Sequence, residues 1–465
     1  MTGMRPEIVN KLLEKEQARF RVSHPKSEAK FAEGRRTYLY GTPLHWMRRW
    51  AGGFPPYAQK AAGTWLRDID GHDYVDFALG DSGAMCGHGN QAIADAIHQQ
   101  LSRGTTMMLP TEDSLIVGAE LQRRFKLPYW NIAVSATQAN RDAIRMSRMI
   151  TGREKVLVFN GCYHGGVDEA HQALADGKPG LRNNIHPNAI DYARIGKVIE
   201  FNDVDALEAA LAPGDVACVL AEPFMTNCGM VAPAPGYNEA LRQITARTGT
   251  LLIWDETHTV SAGIGGYCGA HDLVPDIYVV GKAIGGGIPV AAYGVSTPVA
   301  EKLWDVLPWL SAEKRQSSHA GMGGTLAGSA VLIAAIKAAF EHALTEAGYA
   351  TMHRISGVIA ADVGAAIHDA GLPWHVTNLG GRVEYMFSPE PPRNGTEATA
   401  ARDGDMEALL HAYFLNEGVM LTPFHNMVLC CPASTTDDAA IHDRVFRGFL
   451  QWLRDNGTVD EEHRL

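Results

Sequence analysis

Glu222, Asp255 and Lys282 each follow an apolar run, and their types and spacing are the first sign of chemistry. Lys282 lies in the turn Gly281-Lys282-Ala283-Ile284-Gly285-Gly286-Gly287. A buried lysine presents a neutral amine able to attack a carbonyl, and glycines let the backbone approach a ligand closely. A lysine at a strand end also serves as a plain solvated charge. Asp255 follows Leu251-Leu252-Ile253-Trp254; it suits either a turn cap or a buried anion facing a protonated ring nitrogen. Ser135-Ala136-Thr137-Gln138-Ala139-Asn140 opens a helical segment after Ile132-Ala133-Val134. Backbone N–H groups and the positive dipole end there suit a phosphate, although an ordinary N-cap uses the same residues. Tyr163, in Tyr163-His164-Gly165-Gly166, offers a ring to stack on a flat ligand or to plug a sheet rim. His88 and His258 are open to both kinds of reading. A Gly-x-x-x-x-Gly-Lys-Ser/Thr loop is absent from the sequence, which argues against a nucleoside triphosphatase.

The elements that must position these residues follow from the apolar pattern. Runs at Lys155 to Phe159, Val216 to Ala221, Thr250 to Trp254 and Ile277 to Val280 predict strands alternating with helical segments between Gly80 and Gly324, an α/β arrangement. Glu222, Asp255 and Lys282 are 33 and 27 positions apart, close to the ~30 residues of a strand-helix-strand unit. Parallel strands gather functional groups at their carboxyl ends, so the three should converge at one rim. The link from Lys282 to the apolar run Ile288 to Val295 is too short for a helical crossover and predicts an antiparallel partner. Upstream, a helix is expected from Glu7 to Arg21 and a hairpin around Asp70-Gly71. Downstream, helices are expected at Ser329 to Ala343 and Asp438 to Leu453, and strands at Gly381 to Phe387 and Met427 to Cys430. Ser388 to Thr399 reads as an exposed loop. The divisions expected are 1–79, 80–328 and 329–465.

A chain of 465 residues can bury a large core and form two domains. Its net charge of -11 argues against non-specific attraction to nucleic acid or anionic lipid. Seven cysteines without metal-type spacing suggest reduced thiols, with neither a disulfide framework nor a metal site. No apolar stretch reaches the ~20 residues of a membrane span, and the start lacks a signal-peptide core. A cytoplasmic protein with no membrane partner is the expectation.

Taken together these residues resemble the class III aminotransferases, a branch of the fold-type I pyridoxal-phosphate enzymes, and within it the glutamate-1-semialdehyde aminomutase-like group. The most specific stretches are Leu252-Ile253-Trp254-Asp255-Glu256-Thr257-His258-Thr259 and Val280-Gly281-Lys282-Ala283-Ile284-Gly285-Gly286-Gly287-Ile288-Pro289-Val290. The resemblance implies a large domain with a mostly parallel seven-stranded sheet and one antiparallel strand, and a smaller α+β domain from the N- and C-terminal segments. It implies pyridoxal 5′-phosphate held by Lys282 as a Schiff base, with Asp255 at the pyridine nitrogen. Ser135, Ala136 and Thr137 match the phosphate turn, in which Ala136 replaces a glycine and Gln138 a glutamate. Tyr163 matches the stacking aromatic, and Asn227 an asparagine near the phenolic oxygen. His258 stands where methionine or glutamine is usual, near the cofactor face. Thr325, in Gly323-Gly324-Thr325-Leu326-Ala327-Gly328, matches a threonine that reaches the neighbouring subunit's phosphate and so implies a homodimer. The arginine with which aminomutases grip the substrate carboxylate falls near Trp46. This leaves Arg48, Arg49 or Arg382 for that contact and an apolar pocket from His45, Trp46 and Trp50; Glu222 is a further candidate substrate residue. The leading expectation is an aminotransferase acting on a small amino donor and a keto acid. An intramolecular aminomutase or an epimerase is the alternative, and a non-catalytic cofactor-binding protein is a further reading.

Overall fold

The computed structural model describes residues 5–182, 185, 188–306 and 321–456; the ends of the expected outer segments, 1–4 and 457–465, lie outside them. The chain divides into two compact units, one of Met1–Asn90, Ala347–Pro391 and Ala401–Leu465, the other of Gln91–Glu346 and Pro392–Ala400. By this division residues 329–346 fall with the larger unit and residues 80–90 with the smaller, beside the expected divisions at 79 and 328. For residues 329–346 the reason is the helix Ala330–His342, whose apolar residues are buried nearly all round and which packs on helices Gln91–Arg103 and Glu112–Phe125 of the larger unit.

The larger unit is built on seven strands: β1 (Tyr129–Ala133), β2 (Lys155–Phe159), β3 (Gly196–Ile199), β4 (Val216–Ala221), β5 (Leu251–Asp255), β6 (Ile277–Val280) and β7 (Ala291–Val295), in the spatial order β1-β7-β6-β5-β4-β2-β3. Parallel pairing links β6, β5, β4, β2 and β3, while β7 runs antiparallel to both neighbours. This is the hairpin that the short link after Lys282 requires. Every residue of β4, β5 and β6 is buried, as expected of central strands covered on both faces. Their apolar side chains supply most of the driving force, at about 25 cal/mol per Å² of apolar surface removed from water. β3 has only two fully buried residues, which is why its apolar signal is weak in the sequence.

The smaller unit holds a sheet in which Trp65–Asp68 and Asp73–Asp76 form the expected antiparallel hairpin, with Val419–Met420 added parallel at its edge. A core of Phe20, Phe54, Tyr74, Leu415 and Met420 packs behind it. His24 Nδ1 donates to Phe20 O at 2.8 Å, and its Nε2 meets the Tyr74 hydroxyl at 2.6 Å. Tyr74 in turn lies 2.9 Å from Asp68, so the first helix, Pro6–Ser23, is tied to the hairpin. A second sheet pairs His375–Leu379, Arg382–Met386 and Met427–Leu429. The expected loop at Ser388 to Thr399 is partly wrong: Gly395–Ala400 is helical. Glu200 accepts from Gly395 N and from the Thr396 hydroxyl, at 3.1 and 2.5 Å, and holds that turn on the larger unit. All seven cysteines are buried and free of disulfides. Among the described residues no helix is long and apolar enough to cross a membrane.

Candidate active site

β4, β5 and β6 lie side by side and parallel, so Glu222, Asp255 and Lys282 emerge at the same rim. Topology alone brings them together. Asp255 ends β5 and is buried. Its carboxylate accepts from Asn140 Nδ2 at 2.7 Å, from the Thr257 hydroxyl at 2.6 Å and from Thr257 N at 3.1 Å, and it pairs with His164 Nδ1 at 2.9 Å. Burial works against the charged form of Asp255, but His164, Thr257 and Asn140 outweigh it and hold the carboxyl at about 2. For His164 burial likewise opposes charging, while Cys162 and Asp255 favour it, and the imidazole rises to about 10. A buried anion with this many donors stays ionised at any ordinary pH.

Lys282 follows Gly281 and opens a short 3-10 turn, Lys282–Gly285. Its φ of +49° lies in the left-handed region, which costs a non-glycine residue roughly 1–2 kcal/mol. Lys282 Nζ lies 2.8 Å from His258 Nε2. Gly281 packs so tightly that a Cβ there would stand 3.1 Å from the Ala136 Cβ. The lysine turn is thereby pressed against the start of the helix Ala136–Thr151.

That helix start is well built. The Ser135 hydroxyl accepts from Gln138 N at 3.2 Å, and Gln138 Oε1 accepts from Val134 N at 3.0 Å. This reciprocal arrangement resembles a capping box and needs only an oxygen acceptor, so glutamine serves where the family has glutamate. Thr137 Oγ1 accepts from Gly166 N at 3.1 Å. Gly165 sits at φ +78°, and a Cβ on it would come within 2.1 Å of Thr137 Oγ1. Ser135, Thr137, Gln138, Gly166 and Thr325 line one cleft of about 740 Å³.

The remaining expected residues are placed as follows. Tyr163 is partly buried beneath the Arg182 guanidinium, 5.8 Å from its ring centroid. Asn227 donates to Glu222 Oε1 at 3.0 Å, and Thr226 Oγ1 donates to Glu222 Oε2 at 2.5 Å; burial pushes Glu222 up from the ordinary carboxylate range. In the smaller unit, Trp46 packs on Phe424 with centroids 5.0 Å apart. The Arg49 guanidinium lies over both rings, at 5.1 and 5.2 Å, while Arg48 is exposed. Arg382 is enclosed, with no exposed surface; it donates to the Ser82 hydroxyl at 2.9 Å and to Met427 Sδ, rather than presenting its fork to solvent. His88 is paired with Asp76 at 2.7 Å. Sequence reading missed the parts played by Asn140 and His164. The signal for Asn140 was its place with Ala143, Ile144 and Ser147 at helical spacing on a buried face, where a polar residue needs a partner.

These features suit pyridoxal phosphate: a permanently anionic Asp255 for the ring nitrogen, the Lys282 amine on the same rim, and a helix N-terminus with glycines that leave room for a phosphate. Fold and site together define a fold-type I pyridoxal-phosphate enzyme, and its cofactor is pyridoxal 5′-phosphate. The chain belongs to the class-III aminotransferases, whose family model matches residues 47–449. It is 31% identical over 397 residues to glutamate-1-semialdehyde 2,1-aminomutase of Anaeromyxobacter dehalogenans (strain 2CP-C), covering 84% of this chain and 89% of that one. A crystal structure of a glutamate-1-semialdehyde-aminomutase from Pseudomonas aeruginosa PAO1 matches with a TM-score of 0.95 and 52% identity, over 97% of this chain and all of that one. A lysine-to-alanine form of a glutamate-1-semialdehyde-aminomutase from the same organism, in complex with PMP, matches with a TM-score of 0.94 and 52% identity, over 97% and 99%.

Proposed function

We propose that the chain is an intramolecular aminomutase of the glutamate-1-semialdehyde type, exchanging the amino and carbonyl positions of one small carboxylate-bearing substrate. The observation that carries this reading is the 52% identity maintained over 97% of the chain; the emergence of Glu222, Asp255 and Lys282 beside one another at the ends of parallel strands supports it. It reverses the order of the two enzymatic readings, which placed an aminotransferase first. The aminotransferase reading keeps one specific support: Trp46 packed on Phe424 beneath Arg49, where an aminomutase would carry its carboxylate-binding arginine. An aromatic surface of that kind suits a bulkier donor, which would pass its amine to a separate keto acid.

Pyridoxal phosphate supplies the electron sink that makes a proton on the substrate carbon removable. Lys282 would hold the cofactor and, as a free amine, would carry the proton to and from the substrate carbon. Asp255 keeps the ring nitrogen protonated, with Asn140 and His164 fixing its carboxylate. Ser135, Ala136 and Thr137 would hold the phosphate through backbone N–H groups and hydroxyls. Tyr163 would supply the aromatic face for the ring, and Asn227, which donates to Glu222, a donor toward its phenolic oxygen. A homodimer is part of the same reading, with Thr325 reaching the neighbouring site. Met108, Leu109, Leu115 and Leu326 are exposed apolar side chains, at 82%, 70%, 77% and 60%, of the type that a partner subunit would cover. Free thiols suit a cytoplasmic setting.

The test supplies glutamate-1-semialdehyde with no keto acid. Acceptor-independent isomerisation is expected, and Lys282→Ala should lower it at least about a thousandfold while abolishing the visible band of the lysine-bound cofactor. Turnover appearing only on addition of a keto acid would shift the reading to an aminotransferase.

A further inference from the structure

The 2.8 Å contact between Lys282 Nζ and His258 Nε2 does more than fill space. His258 is 6% exposed, so its imidazole meets the amine in a largely enclosed setting where a hydrogen bond is strongly directional. The neighbouring ionisable groups are each engaged elsewhere. Asp255 is held by Asn140, His164 and Thr257. Glu256 accepts from Tyr267 N at 2.5 Å, from Cys268 N at 2.7 Å and from the Thr259 hydroxyl at 2.9 Å. Glu222 is held by Thr226 and Asn227. His258 Nε2 meets the lysine amine directly.

We propose that His258 is a positioning residue for Lys282, its neutral imidazole accepting one Nζ–H and aiming the amine lone pair at the reacting carbon. This deepens the reading above and rests on Lys282 being the cofactor-holding lysine. The left-handed backbone at Lys282 fixes where the side chain starts, and His258 fixes where it ends. When the lysine takes up its cofactor, a C=N bond forms at Nζ and one water leaves, carrying the aldehyde oxygen and both amine hydrogens. His258 governs how often the amine is aimed for that step and neither gains nor loses an atom in it. An acceptor role also has a pH signature. Capture requires both an unprotonated amine and an unprotonated imidazole, so at the acid end two protons must be absent rather than one.

The test measures the rate at which cofactor-free protein captures pyridoxal phosphate, as linkage made permanent by borohydride, across pH. Wild type should show a logarithmic profile whose slope rises from about one to about two at the acid end. His258→Leu, which removes the acceptor, should slow capture at pH 8 by roughly tenfold to a hundredfold. His258→Gln keeps a non-titrating oxygen acceptor; it should restore most of the rate and hold the slope at about one. Should the leucine variant fail to fold, as judged by circular dichroism, the glutamine profile alone decides. A slope of two retained in His258→Gln, or wild-type rates in both variants, would overturn the proposal. Lys282→Ala runs alongside: permanent linkage persisting in that variant means the reading of Lys282 itself has failed, whereas loss there with unchanged His258 variants sinks only the role of His258.

Discussion

The Asp255–His164 pair is where burial and charge are most finely opposed, and its pH behaviour follows from the directions of the two shifts. Asp255 drops from 3.8 to about 2 and His164 rises from 6.5 to about 10. A lowered carboxyl contributes stability that is full above 3.8 and fades as pH falls through about 2. A raised imidazole contributes stability that is full below 6.5 and fades as pH rises through about 10. Thermal melting should therefore show the pair's whole contribution between those inner limits and a progressive loss on both sides. In His164→Asn the alkaline part of that loss should disappear; its persistence would assign the alkaline loss to another group. The same pair explains why a lone aspartate after an apolar run was ambiguous in the sequence, since two of the partners that keep it charged, Asn140 and His164, lie 115 and 91 positions away.

At the scale of elements, the site depends on three turns approaching one another: Ser135–Thr137, Tyr163–Gly166 and Gly281–Lys282. Gly165 is the tightest point, being both at φ +78° and 2.1 Å from Thr137 Oγ1 when given a Cβ. Gly165→Ala should cost roughly 2–4 kcal/mol from the combined backbone strain and overpacking. It should also weaken retention of pyridoxal phosphate at least about tenfold, because the phosphate turn must move. Adding Thr137→Ala should recover part of the stability but not the affinity, measured by chemical denaturation and cofactor titration. Equal losses in the single and double variants would show that the clash is not the cause. Of the strands carrying these turns, β2 and β6 were legible as apolar runs, whereas β1, with Tyr129 and Asn131 exposed, was not. β3 and the hairpin Gln172–Ala175 with Lys178–Leu181 were not, because short, half-exposed strands lack a pattern that distinguishes them from loops.

For the whole molecule, the exposed apolar run around Met108, Leu109 and Leu115 and the exposed Thr325 and Leu326 belong to the larger unit. A homodimer burying them should sediment as a dimer at micromolar concentration. Leu109→Glu combined with Leu115→Glu should shift it toward monomer, with a parallel loss of cofactor retention if Thr325 serves the neighbouring site. Dissociation without that loss would confine Thr325 to its own subunit.

The order of apolar runs by itself determined the alternating strand-and-helix core, the antiparallel run after Lys282 and the convergence of Glu222, Asp255 and Lys282, because strand-helix-strand units leave parallel strands few ways to connect. The class of cofactor came from the resemblance of those residues to a known family. Only the tertiary structure decided which polar partners charge Asp255, that His258 meets Lys282, that Gln138 completes a cap, and that the helix after Gly328 belongs with the larger unit. Most of these depend on groups far apart in the chain meeting within hydrogen-bond or packing distance, as Asn140 and His164 meet Asp255; the Gln138 cap is local, and there only the folded helix start shows which backbone N–H the side chain takes.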